Sequence, residues 1–310
     1  MGNLSTKHFI QLEGVPRSDI QLLIDQGMKF REVLDRPIKK VPSLNGKSIV
    51  NLFFENSTRT RISFELAEKR LSAEITNFSA SSSSLNKGES FKDTIQNLCA
   101  MKMDCIVMRH PSPGSCHQLT NYVDSIVVNG GDGTHEHPTQ AMLDMMSIYE
   151  KFGKIKDLNI AIVGDISHSR VALSNIYGLI TMGANVKLCG PPHLIPPGIN
   201  ELGVEVDYDI DNIISWADAV NVLRIQRERM GIGLIPSVRE YRQTFGLTEE
   251  RMRNHKKEIV IMHPGPMNRG VEIDSVLADS DQAIILDQVL NGVAVRMSIL
   301  YTLLGGEKND

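Results

Sequence analysis

The chain has 310 residues, 41% of them hydrophobic and 23% charged, which is ordinary for a globular protein and long enough for two cores. A net charge of −4 with histidines neutral argues against a general nucleic-acid binder, so any anion site has to be local. No apolar run approaches the roughly 18 residues needed to cross a bilayer, and Met1 to Thr6 lacks the apolar core of an export signal.

Cys99, Cys105, Cys116 and Cys189 are scattered without Cys-x-x-Cys spacing. That pattern signals neither a zinc site nor a disulfide framework, and it suits a reducing cytoplasm. Ser18-Asp19 is expected to cap a helix running to about Asp35, with Pro37 and Pro42 breaking the chain before the first strand. The run Ser48 to Phe54 reads as that strand. Phe64, Ala67 and Leu71 then fall on one helical face. Between them lies Glu55-Asn56-Ser57-Thr58-Arg59-Thr60-Arg61. Ser57 alone reads as an ordinary N-cap. Two arginines at the positive end of a helix are locally unfavourable, and an anion held by the free N–H groups and hydroxyls would relieve the conflict.

The serine run Ser79 to Ser84, followed by Leu85-Asn86-Lys87-Gly88-Glu89, reads either as a solvated loop or as a lid in which Ser83 and Lys87 close over a phosphate. A helix carrying Phe91, Ile95 and Leu98 follows, then a buried strand Cys105 to Met108 ending in Arg109-His110-Pro111. A cation at the carboxyl end of a parallel strand sits where open α/β sheets bind ligands, although an ion-pair role fits it equally. The strand Ser125 to Asn129 leads through Gly130-Gly131-Asp132-Gly133 to His135-Glu136-His137-Pro138-Thr139-Gln140, which opens a helix with Met142, Met145, Tyr149 and Phe152 aligned. Pro138 suits the first helical turn and puts His137 at its amino end. A metal reading of His135 and His137 lacks His-Glu-x-x-His spacing, so no metal is expected. A neutral imidazole there can donate a hydrogen bond to a carbonyl oxygen.

After Gly153 a second alternating unit begins. Leu158 to Val163 reads as a strand, followed by Gly164 to Arg170 and a helix with Leu173, Ile176 and Ile180 aligned. The absence of Gly-x-Gly-x-x-Gly argues against a dinucleotide fold, and no cofactor is expected. Arg170 at the helix start suits a carboxylate. Strands are expected at Val186 to Cys189, Val204 to Val206 and Ala219 to Leu223, the last ending in Arg224-Ile225-Gln226-Arg227. Arg224 and Gln226 then share a side that Arg227 does not. Residues 225–247 read as a long closing connection. Strand Ile259 to Met262 leads to His263-Pro264-Gly265-Pro266, a rigid turn. Val289, Val293, Met297, Leu300 and Leu304 form the stripe of a final helix that stops at Gly305.

The run Phe53 to Arg61, together with Lys87-Gly88-Glu89, Arg109-His110-Pro111, His137-Pro138-Thr139-Gln140 and His263-Pro264-Gly265-Pro266, resembles the motifs of the aspartate transcarbamoylase catalytic-chain family, in the family's order and over essentially the whole chain. The resemblance implies an α/β fold of two domains, each a parallel β-sheet flanked by helices. These would be a carbamoyl-phosphate-binding domain over 1–150 and an aspartate-binding domain over 151–286, with the C-terminal helix 287–310 returning to the first. It implies carbamoyl transfer to L-aspartate, the first committed step of pyrimidine synthesis. It assigns Ser57, Thr58, Arg59 and Thr60 to the phosphate, with Ser83 and Lys87 entering from an adjacent subunit of a homotrimer. Thr60, Arg109 and His137 would face the carbamoyl oxygen. Gln140 and the main chain of Gly265 and Pro266 would hold the carbamoyl amide. Arg170, Arg224 and Gln226 would hold the two aspartate carboxylates, with Lys87 also near aspartate. His-Pro-Gly-Pro departs from the His-Cys-Leu-Pro of ornithine transcarbamoylases, which implies aspartate as acceptor. Regulatory chains or a dihydroorotase are possible partners by the same resemblance; membrane and nucleic acid are not.

Overall fold

The apolar run ahead of Glu55 to Arg61 forms β1 (Ser48–Phe53), buried from Ile49 onward as a central parallel strand requires. The structure, a computed structural model, describes residues 4–79, 91–225, 237–255 and 258–305. The chain divides into two units, residues 1–146 with 290–310, and residues 147–289.

In the first unit α1 (Arg17–Leu34), β1, α2 (Thr58–Arg70), β2 (Glu74–Ser79), α3 (Phe91–Ala100), β3 (Cys105–His110), α4 (Ser115–Thr120), β4 (Ile126–Asp132) and most of α5 (Pro138–Phe152) follow in order. Their strands pair in parallel as β2-β1-β3-β4. The register sets Phe53 beside Arg109. The chain therefore turns one way from β1 and the other way into β3, which makes the carboxyl ends of these two strands a topological switch point. The sheet buries Val50, Leu52, Ile106 and Met108 against Ile95, Cys116 and Leu119. The C-terminal helix α11 (Ile285–Leu304) carries its later turns into this unit. There the Ser298 hydroxyl donates to Leu23 O at 2.8 Å and Tyr301 meets the Phe30 ring edge-on at 5.5 Å.

The second unit contains β5 (Asn159–Val163), α6 (Arg170–Met182), β6 (Asn185–Cys189), β7 (Glu205–Val206), α7 (Ile210–Trp216), β8 (Ala219–Val222), α8 (Val238–Phe245), α9 (Glu249–Arg253), β9 (Val260–Met262) and α10 (Ser275–Ala278). Its sheet is also parallel, ordered β7-β6-β5-β8-β9. The switch point here lies between β5 and β8. Gly164 and Gly190 let the chain close up beside it: a Cβ on Gly190 would lie 2.3 Å from Gly164 O, and one on Gly164 would lie 3.1 Å from Leu223 O. No helix among the described residues is long and apolar enough to cross a membrane.

Several sequence expectations need correction. The N-cap of α1 is Pro16, with no side-chain capping bond, and Ser18 and Asp19 lie inside the first turn. The Asp19 carboxylate instead accepts from Ser5 N at 2.8 Å and Ser5 Oγ at 2.7 Å. β4 runs on through Gly130 and Gly131 to Asp132, where pairing resumes with His110 after a shift in register. The expected connection 225–247 contains α8, an amphipathic helix capped by Ser237 that buries Tyr241 and Phe245. On α6 the buried face is Ala172, Ile176 and Leu179, so the aligned Leu173 and Ile180 sit at its margins. Val289 is 55% exposed and stands off the buried face of α11, which holds Ile285 and Gln288 ahead of Val293.

Candidate functional site

In the first unit, α2 begins where the sequence accumulates hydroxyls. Ser57 is its N-cap, in an extended conformation, yet its hydroxyl makes no capping bond, and the first turn contains no acidic residue. The bland capping role is therefore not what Ser57 performs. Thr58 and Arg59 are exposed, Thr60 is buried, and Arg61 pairs loosely with Glu65 at 3.6 Å. A helix amino terminus without a side-chain cap, with three nearby hydroxyls and Arg59 in a first turn that holds no acidic residue, favours an anion.

Arg109 emerges from the neighbouring strand. Phe54 N donates to Arg109 O at 2.9 Å, which anchors the turn to β3. The buried Arg109 guanidinium donates to Gly130 O at 3.0 Å and to Glu55 Oε1 at 3.1 Å, and its Nη1 lies 3.5 Å from His137 Nε2. His137 is buried directly before Pro138, which starts α5. One turn on, Gln140 Nε2 donates to Asp144 Oδ1 at 3.0 Å, leaving the amide oxygen as its acceptor. The structure thus gathers Ser57 to Thr60, Arg109 and His137 at the ends of β1, β3 and β4.

The loop before His137 is held by buried carboxylates. Asp132 accepts from Gly114 N at 2.8 Å, and its Oδ1 accepts from Asn129 Nδ2 at 2.7 Å. Glu136 accepts from Leu12 N at 2.8 Å and Glu13 N at 3.1 Å. His135 Nδ1 lies 3.1 Å from Asp132 Oδ2, and that hydrogen bond raises the His135 pKa against the opposing effect of burial. Among the described residues no group of three or more His, Cys, Asp or Glu is arranged to hold a metal ion.

In the second unit, Ser169 caps α6 by accepting from Ala172 N at 3.2 Å, and Arg170 opens the helix as a buried residue. Beside it the buried Asp165 carboxylate accepts from His168 N at 3.1 Å and lies 2.8 Å from His168 Nδ1. Arg224 follows β8, half-buried. Gly265 takes a φ of +59°, the left-handed region that favours glycine, before a cis bond to Pro266. Gly265 N donates to His263 Nδ1 at 2.8 Å, and His263 Nε2 lies 3.3 Å from the buried Glu272. Asn268 Nδ2 reaches Ile225 O at 3.3 Å and Glu272 Oε2 at 3.2 Å, so one carboxylate braces the Gly265–Pro266 turn and the segment after Arg224. Ser83, Lys87 and Gln226 lie outside the described residues.

Sequence reading did not single out Glu55, Asp144 and Glu272. Each stands within or near a chosen motif, and a buried cation or amide needing an acceptor was the signal that could have pointed to them.

An uncapped helix start with cations at one switch point, and arginines at a second, define a group-transfer enzyme of the parallel α/β class, built to hold a phosphorylated donor and a carboxylate-bearing acceptor. Residues 7–150 match the family model "Aspartate/ornithine carbamoyltransferase, carbamoyl-P binding domain", and residues 156–303 match "Aspartate/ornithine carbamoyltransferase, Asp/Orn binding domain". The chain belongs to the aspartate/ornithine carbamoyltransferase family. It is 56% identical over 300 residues to the aspartate carbamoyltransferase catalytic subunit of Christiangramia forsetii, covering 97% of each chain. It is 55% identical over 307 residues to that of Cytophaga hutchinsonii, covering 99% of this chain and 100% of the other. Among solved structures, the catalytic subunit of M. jannaschii aspartate transcarbamoylase superposes with a TM-score of 0.84 at 34% identity, covering 98% and 100%. The Trypanosoma cruzi enzyme in complex with N-(phosphonacetyl)-L-aspartic acid superposes with a TM-score of 0.85 at 29% identity, covering 96% of each chain.

Proposed function

We propose that this chain transfers the carbamoyl group of carbamoyl phosphate to the α-amine of L-aspartate, giving N-carbamoyl-L-aspartate and phosphate, the committing step toward pyrimidine nucleotides. The observation that carries the reading is the uncapped, acid-free start of α2 joined through β1 and β3 to the Arg109–His137 pair.

The first domain, residues 1–150 with residues 287–310, binds carbamoyl phosphate, and residues 151–286 bind aspartate. Ser57, Thr58, Arg59 and Thr60 hold the phosphate. The amine lone pair attacks the carbamoyl carbon, and the C=O electrons move onto oxygen, where Thr60, Arg109 and His137 stabilise the charge. The oxyanion then collapses, the C–O bond to phosphate breaks with its electrons leaving on phosphate, and the amine proton passes to a phosphate oxygen. Gln140 and the carbonyls at Gly265 and Pro266 hold the carbamoyl NH₂. Arg170 and Arg224, with Gln226, present planar forks to the aspartate carboxylates. No side chain in this set acts as nucleophile or general base, so the rate comes from orientation and charge stabilisation.

The working unit in this reading is a cytoplasmic homotrimer in which Ser83 and Lys87 reach an adjacent subunit's site. Four free thiols fit a reducing compartment. The direct test is to supply carbamoyl phosphate with aspartate, then with ornithine, and to score ureido product. Product with aspartate alone is expected; none with aspartate overturns the reading. Mixing inactive Lys87→Ala with inactive Arg59→Ala chains should restore activity if sites are shared, and confirmed mixed trimers without activity would refute sharing.

A further inference from the structure

One buried cation in the first unit has no place in the chemistry above. Arg296, on α11, is 3% exposed. Its Nη1 donates to Ser63 Oγ on α2 at 2.9 Å and to Gly292 O at 3.0 Å, while Nη2 donates to Thr139 Oγ1 on α5 at 3.3 Å. The guanidinium carbon sits 4.9 Å from the Phe64 ring centroid. Ser63 is one turn beyond the anion turn, and Thr139 is two residues after His137.

The surroundings are shaped to this side chain. A Cβ on Gly292 would lie 2.8 Å from Arg296 Nη1 and 3.2 Å from Leu143 Cδ2, so glycine one turn earlier on α11 clears the space the guanidinium fills. As a core filler, arginine is a poor choice, because burying a cation costs more than burying an apolar residue of similar length. The charge costs here: burial, then the neighbouring Arg109, bring the Arg296 pKa down to about 9, and Asp144 only partly opposes them. The guanidinium meets two hydroxyls, a main-chain carbonyl and a ring, not a carboxylate, and its Nε has no hydrogen-bond partner among the described residues. What the fork does that an apolar residue cannot is hold two helices at once, α2 by its second turn at Ser63 and α5 by its first at Thr139.

We propose that Arg296 is a positioning residue: from α11 it bridges Ser63 and Thr139, and so sets the spacing between the start of α2, which carries Ser57 to Thr60, and the start of α5, which carries His137. This rests on the carbamoyl-transfer reading for its kinetic consequence, but not for its effect on phosphate binding. A misplacement near 1 Å at a reacting centre can cost about a hundredfold in rate.

The test uses the full chain. Arg296→Met keeps length and burial without charge or fork, and Arg296→Lys keeps charge without the fork. Each is measured for inorganic phosphate affinity by calorimetry, for kcat and KM toward carbamoyl phosphate, and for Tm. Both variants are expected to fold, with phosphate affinity down about tenfold and kcat/KM down about ten- to hundredfold. A purely structural role would instead lower Tm while the folded fraction bound phosphate normally. Ser63→Ala and Thr139→Val should each lower kcat/KM several-fold in the native background and have no further effect on Arg296→Met. Those two conservative variants decide the matter if Arg296→Met does not fold. Native phosphate affinity and kcat/KM in Arg296→Met, or hydroxyl deletions that act independently of Arg296, would overturn the inference. An unsubstituted chain that binds phosphate but forms no ureido product would sink the transfer reading alone, with the phosphate titrations still deciding the role of Arg296.

Discussion

Replacing Glu68 by glutamine should stabilise the protein at pH 8 and leave it unchanged near pH 4.5. Glu68 lies in the last turn of α2, fully buried, with Oε2 accepting from Asn51 Nδ2 at 2.9 Å. That Asn51 amide is shared with Asn77 Oδ1 at 3.2 Å, and Glu68 Oε1 is buried with no hydrogen-bond partner among the described residues. Burial pushes the carboxyl from 4.5 up to about 7; the Asn51 hydrogen bond opposes this, Glu65 adds to it and Lys69 subtracts. A carboxyl whose pKa is higher in the folded than in the unfolded chain binds its proton more tightly when folded. Stability from this group is therefore full below 4.5, falls as pH rises through the interval, and is lost above about 7. At 1.36 kcal/mol per pH unit, the interval corresponds to about 3 kcal/mol. Glutamine keeps an acceptor for Asn51 and never ionises, so it escapes that cost. Calorimetric melting of the two proteins from pH 4.5 to 8 should show the variant's Tm advantage growing from zero to several degrees. An advantage that stays constant with pH, or none at pH 8, would refute the argument, since either means that Glu68 does not titrate in that range.

Three further outcomes follow from the site and its frame. His137→Ala removes one donor from the carbamoyl oxyanion and should lower kcat by about two to three orders of magnitude; a near-normal rate would take His137 out of the chemistry. Arg224→Ala should raise the aspartate concentration needed for half-maximal rate at least tenfold while phosphate affinity stays native, and an unchanged aspartate dependence would mean that the acceptor carboxylate is held elsewhere. Gly190→Ala places a methyl 2.3 Å from Gly164 O, backbone that cannot rotate aside, so denaturant unfolding should show a loss of about 1–3 kcal/mol, and a neutral result would contradict the close approach of β5 and β6.

The sequence announced the fold where burial is two-sided and the apolar runs are unbroken. β1, β3 and β5 are continuous runs because parallel strands at the centre of a sheet meet helices on both faces. β2 gave no such signal: it is an edge strand with Glu74, Thr76 and Asn77 exposed, so its composition resembles a loop. α8 was hidden for a related reason. It buries only Tyr241 and Phe245, four residues apart, after glycines that made the whole stretch look irregular. Of the site, the charged and hydroxyl residues were legible because two arginines at a helix start conflict with its dipole. The residues that hold them were not. Glu55, Glu272 and Arg296 act across separations in sequence of 54, 9 and 233 residues, to Arg109, His263 and Ser63, and such contacts leave no local periodicity.

Both units place a helix start at a switch point, although α2 lacks a side-chain cap and α6 is capped by Ser169. Where the chain leaves a parallel sheet in opposite directions, the strand ends diverge and backbone N–H groups of the next helix stand unpaired, so an anion is favoured before any side chain is chosen. In the first unit the side chains add Arg59, Arg109 and neutral donors, a set suited to a dianion beside a carbonyl. In the second, the helix start at Arg170 and the strand end at Arg224 supply cations at the corresponding positions around β5 and β8. The proposed reaction, in which the leaving phosphate takes the amine proton, asks only for donors fixed in advance and charge of the right sign, and Glu55 at Arg109 and Glu272 beside His263 and Asn268 hold the residues around them in place. Site residues that neither ionise nor form covalent bonds during the reaction are then the expected composition, and the absence of a nucleophile or base from the proposed set follows from the chemistry it serves.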